Sequence, residues 1–107
     1  MRILFGQGTP LPLRAWLAAH HIETARQHGW SELLNGELLA AAEAAGFDLF
    51  ITTDQNLPHQ LDLSRFAIAL LVLKIANWPM IEQHAATVAA LVDMIHRGEY
   101  AAWSPPS

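Results

Sequence analysis

Two stretches of the chain are apolar with no helical or alternating relief. Phe47, Leu49, Phe50 and Ile51, followed by the β-branched Thr52 and Thr53, predict a strand covered on both faces, and Phe66 to Leu73 (FAIALLVL) predicts a second. The first run stops abruptly at Asp54, Gln55 and Asn56, which delivers a carboxylate at the end of a core strand. Arg2 to Phe5 (RILF) is a shorter apolar strand, and His21 to Thr24 (HIET) is short and polar enough to be an edge.

Between the strands the period changes. Thr9 as N-cap and Pro10 at the first helical position predict a helix through Leu13, Trp16 and Leu17. Ala25 to Ser31 has no clear period and reads as loop. A helix with Asn35 as N-cap and Glu37 in its first turn runs through Ala42 and Ala45 to a stop at Gly46. Ile81, Ala85, Val88, Leu91, Val92 and Ile95 keep helical spacing after Trp78 and Pro79, with the stop at Gly98, and Glu99 to Trp103 adds a last strand. Alternation of this kind predicts one α/β domain over residues 1–107, a three-layer sandwich with a mostly parallel sheet of four to five strands. Right-handed crossovers would then bring Gly6, Gln7, Asp54 and the start of the helix carrying Asn35 and Glu37 to one rim.

Composition narrows the chemistry. The chain has 107 residues, 52% of them hydrophobic, enough for one core, and no cysteine, which removes disulfides and thiolate zinc sites and agrees with a reducing, cytoplasmic setting. No apolar run approaches the length of a membrane span, and the N-terminus lacks the features of a signal peptide. The net charge is −4, and the six Lys and Arg residues are scattered, so a protein that grips long nucleic acid through phosphate neutralisation is not expected.

Local motifs are weak. Gly6-Gln7-Gly8 begins like a dinucleotide fingerprint, but Leu11 stands at the third glycine and Pro10 and Pro12 remove amide donors. The six histidines show no metal-ligand spacing, and His59 alone lies close after Asp54. Asp54 also reads as a cap of the turn that follows it, and Glu37 as a carboxylate favoured by its own helix start.

Taken together, RILF with its Gln-Gly-Thr-Pro turn, GWSELLNGELLAAAEAAGF, DLFITTDQNL and the closing Trp-Pro helix make the chain similar, nearly end to end, to the DUF5615 family of small PIN-like proteins, relatives of bacterial toxin nucleases. The resemblance implies a compact PIN-like fold and a Mg²⁺- or Mn²⁺-dependent endoribonuclease, a hydrolase acting on RNA as the toxin of a toxin–antitoxin pair, with a small antitoxin protein as partner. It places the acidic site on Gly6 and Gln7, on Asn35 to Glu37, and on Asp54 and Asn56. Asp54 and Glu37 would hold the metal ion; Gln7, Asn35 and Asn56 would orient water or phosphate.

This sequence departs from that pattern. Gly6 stands where the family tends to have an Asp, and Gln7, Asn35 and Asn56 are amides where it tends to have acids. One lost carboxylate, at a few kcal/mol, would cut the rate about a hundredfold or more. The resemblance therefore implies an impaired nuclease, with Gly6 either a silencing change or a natural loss. Against it stand a non-catalytic interaction module that binds a partner protein or RNA through the same rim, and a plain α/β domain whose acids only cap helices. A homodimer is expected from apolar edge elements.

Overall fold

A computed structural model describes residues 1–106. Its strands are β1 (Arg2–Phe5), β2 (His21–Thr24), β3 (Leu49–Thr52), β4 (Ala69–Leu73) and β5 (Tyr100–Trp103). They form one parallel sheet in the order β2-β1-β3-β4-β5. The interior strands β3 and β4 fall within the two apolar runs and every residue of both is buried, but β4 begins only at Ala69, with Phe66 to Ile68 of the predicted strand lying before it and Ala67 exposed. His21–Thr24 is an edge, as its polarity predicts.

Successive side chains leave a strand on opposite faces, so β1 and β3 supply two cores at once. Ile3, Phe5, Leu49 and Ile51 pack with Leu13 and Leu17 of a 3-10 segment (Leu11–Leu17), and with residues of α3 (Trp78–Glu82) and α4 (Ala85–Met94), among them Ile81, Val88 and Val92. Leu4, Phe50, Leu70 and Val72 face the other way, against Leu38, Leu39 and Ala42 of α1 (Asn35–Ala44) and Leu57 of α2 (Leu57–Gln60). The result is a three-layer α/β sandwich with five strands. The 3-10 segment and α4 share a face although their connections step across the sheet in opposite directions. The β4–β5 crossover therefore has the opposite hand to the other three, a departure from the expected common hand.

Several local expectations change. The first helix is 3-10, with prolines at positions 10 and 12 removing donors from its first turn, and Thr9 does not cap it. The Thr9 hydroxyl instead donates to the Ile51 carbonyl at 3.0 Å, and Gly6 N–H donates to the same oxygen at 2.9 Å, which ties the end of β1 to β3. The helix predicted as continuous after Trp78-Pro79 breaks at Gln83 and His84 and ends at Met94, before Gly98. Its apolar period continues across the break, which is why the sequence reads as one helix. Among the described residues no helix is long and apolar enough to cross a membrane.

Candidate functional site at the sheet rim

The order of the strands fixes where a site belongs. The chain leaves β1 for β2 on one side, while β3 lies on the other, so a crevice opens beyond the carboxyl ends of β1 and β3. A cavity of about 180 Å³ occupies it. Gly6 and Gln7 line it from β1, Trp30, Ser31 and Leu33 from the loop after β2, Asn35 and Leu38 from α1, and Phe50, Thr52 and Asp54 from β3 and its end.

Asp54 is held in place by what surrounds it. Its Oδ1 accepts from Asn56 N–H at 3.0 Å, closing the turn into α2, and its Oδ2 accepts from Asn35 Nδ2 at 3.0 Å. Asn35 Nδ2 also donates to Gln60 Oε1 at 2.9 Å, which ties the start of α1 to the end of α2 and fixes the amide that bonds Asp54. Thr52 Oγ1 accepts from Asp54 N–H at 3.1 Å. Asn35 is not the N-cap: Leu34 holds that position, leaving the amide of Asn35 free to reach Asp54.

The remaining candidates divide. Gln7 lines the cavity. Asn56 contributes its backbone to Asp54, and its exposed side chain does not cap α2. Glu37 is exposed, lies outside the cavity lining, and accepts from Leu34 N–H at 3.3 Å across its own helix start. Helix geometry explains this, because residues two apart point to nearly opposite sides and Asn35 already faces Asp54. His59 is exposed on α2 and lies outside the cavity lining.

At Gly6 there is no room for an acid. A Cβ built there falls 2.8 Å from Cζ and 3.1 Å from Cε1 of Phe50, and 3.4 Å from Thr52 Oγ1. The Phe50 ring is 1% exposed and fills the space that a side chain at position 6 would need. The divalent cation implied by the resemblance wants several carboxylate oxygens. Among the described residues Asp54 is the sole carboxylate lining the cavity, and no three His, Asp or Glu side chains converge on a point that could hold a metal ion. The donor set present does not fit that group.

Trp30 forms a wall that the sequence did not announce, since it sits in the segment with no period. His28 stacks on its ring at 4.3 Å between centroids, and Phe47 meets it edge-on at 6.3 Å. His28 Nε2 in turn lies 2.5 Å from Glu23 Oε1, while His21 Nε2 lies 2.5 Å from Glu23 Oε2. Arg2 adds a 3.4 Å contact to Glu23, donates to the Ala45 carbonyl at 2.6 Å and stands over the Phe47 ring at 4.5 Å. The hydrogen bonds from His21 and then His28 hold the Glu23 carboxyl below the usual carboxylate range, with Arg2 helping and burial opposing. The wall is therefore braced from behind by a charged cluster.

A second cavity, of about 390 Å³, adjoins the first across the Gly6–Gln7 turn. Phe5, Leu11, Thr24 and Arg26 line it with the turn itself. No family model, curated protein or solved structure matches the chain.

Proposed function

We propose that the protein is a PIN-like scaffold whose rim site serves as a non-catalytic binding site for a partner protein, taking a cationic side chain against Asp54. The observation that carries this reading is the lining of the first cavity: among the described residues it has one carboxylate, neutral groups from Gln7, Ser31 and Asn35, the Trp30 ring, and no Lys, Arg or His. A carboxylate has about four acceptor positions, and the two oxygens of Asp54 each use one within the protein, which leaves capacity for an incoming donor. An aromatic wall beside it favours a guanidinium or ammonium group. The cavity, at about 180 Å³, is below the size of a small-molecule site and suits a single side chain. The charge balance favours protein over RNA as partner, because a −4 chain with a lone acid in its cavity repels phosphate.

The test is a titration of the ¹⁵N-labelled protein with N-acetylargininamide, with its neutral isostere N-acetylcitrullinamide as control. The arginine compound should shift the signals of Asp54, Asn35 and the Trp30 indole; the citrulline compound should not, and Asp54→Asn should abolish the effect. Equal shifts from both compounds would overturn the reading. So would Mn²⁺-dependent cleavage of RNA that is lost in Asp54→Asn, which would restore the family's nuclease activity to this chain.

A further inference from the structure

The two rim cavities carry opposite charges and share a wall. Gly6 and Gln7 line both; Asp54 belongs to the first and Arg26 to the second. Arg26 makes no salt bridge among the described residues. Its backbone is nonetheless fixed. Thr24 N–H donates to Gln27 Oε1 at 2.7 Å, Gln27 N–H donates to Thr24 Oγ1 at 3.1 Å, and Ala25 N–H donates to the Phe5 carbonyl at 2.9 Å. A tight, doubly bonded turn thus holds an unpaired cation over a cleft walled by Phe5 and by Leu11, which is 53% exposed.

The spacing of the charges follows from the sheet. β2 ends at Thr24 and β3 at Thr52, with β1 between them, so the strand ends that lead into Arg26 and Asp54 are two strand spacings apart, about 10 Å. A polyproline II segment returns to the same face every third residue, after about 9 Å. We infer that the rim recognises an extended peptide segment of a partner protein carrying a basic and an acidic side chain three residues apart, the basic one entering the Asp54 cavity and the acidic one meeting Arg26. The segment crosses the Gly6–Gln7 turn, where the exposed Gln7 leaves an amide for it to lie on. Leu11 beside Arg26 gives the acidic end an apolar neighbour, so aliphatic residues next to the acid are favoured over polar ones. This inference rests on the reading of the Asp54 cavity as a cation site.

The experiment compares Ac-Arg-Pro-Pro-Glu-NH₂, its reversed sequence Ac-Glu-Pro-Pro-Arg-NH₂, and Ac-Arg-Pro-Pro-Gln-NH₂ as the probe lacking the acid, by chemical-shift titration. One of the two doubly charged peptides should bind about two- to fivefold more tightly than the Gln peptide, the range of an exposed ion pair, and the gain should fade in high salt. Arg26→Glu should erase that gain while N-acetylargininamide still binds at least as tightly as it does to the wild type. Arg26 is exposed, so this variant keeps its fold, checked by the dispersion of its spectrum. If N-acetylargininamide binds but neither charged peptide exceeds the Gln peptide, or if Arg26→Glu leaves the gain intact, the inference fails and the cation site stands. If N-acetylargininamide itself does not bind, both fail.

Discussion

Gly6→Ala is a one-atom perturbation with a calculable consequence. Gly6 is buried and does not have a positive φ, so its backbone accepts an L-residue without strain. The cost comes from the 2.8 Å approach of the new Cβ to Phe50 Cζ, because that ring is packed against Leu4, Leu38 and the rest of one core and cannot swing freely. Overpacking of this kind costs about 1–3 kcal/mol. In a domain of this length each kcal/mol lowers the melting temperature by about 4–8 °C. Phe50→Leu alone also destabilises, by leaving a gap in the same core. Together the two changes should compensate, since the shorter side chain vacates the place that the new Cβ takes. Thermal and urea unfolding of wild type, both single variants and the double variant close the cycle. The expected coupling is about 1–2 kcal/mol in favour of the double variant. Additivity within about 0.5 kcal/mol would refute the claim that Phe50 occupies the room at position 6.

Asp54→Ala should destabilise by about 1–2 kcal/mol in urea unfolding, through loss of the turn cap and of the Asn35 hydrogen bond, whereas Asp54→Asn, which keeps an acceptor for Asn56 N–H, should cost less. Glu23 has a folded pKa depressed below its unfolded value, so its stabilisation is present above about pH 4.5 and is lost as the pH falls through the folded value; Glu23→Gln should flatten the acid limb of the stability–pH curve and leave the limb above pH 8 unchanged. Arg2→Ala removes the donor to the Ala45 carbonyl at the end of α1 and the contact over Phe47, and should cost about 1–2 kcal/mol by thermal unfolding, with more than half of it retained in Arg2→Lys, which lacks the planar fork.

The sheet was legible because the chain writes it plainly. The apolar runs ending at Thr53 and Leu73 contain the interior strands β3 and β4, the polar HIET becomes an edge, and Asp54 arrives at the rim with Asn35 against it. Two kinds of information were not in the pattern. Periodicity assigns Phe50 to a buried strand but says nothing of which neighbour its ring meets, so the closure at Gly6 depends on packing alone. Helix starts are equally blind at the level of one residue: shifting the cap from Asn35 to Leu34 turns Asn35 onto Asp54 and leaves Glu37 at its own helix end. Trp30 and Arg26 came from a segment whose lack of period hid two cavity walls. Its only signal was an aromatic and a cation in a loop between a strand and a helix, the place where a parallel sheet builds its sites.

The central claim is that Asp54 receives a cationic group of a partner and does not hold a divalent metal. The most direct measurement is paramagnetic broadening of the protein's amide signals by Mn²⁺, alongside N-acetylargininamide binding in EDTA. Broadening with no preference for Asp54, Asn35 and Asn56 over the exposed acids Asp62 and Glu99, and arginine binding undiminished by the chelator, is the expected result. Saturable broadening centred on Asp54 and abolished by Asp54→Asn would contradict it.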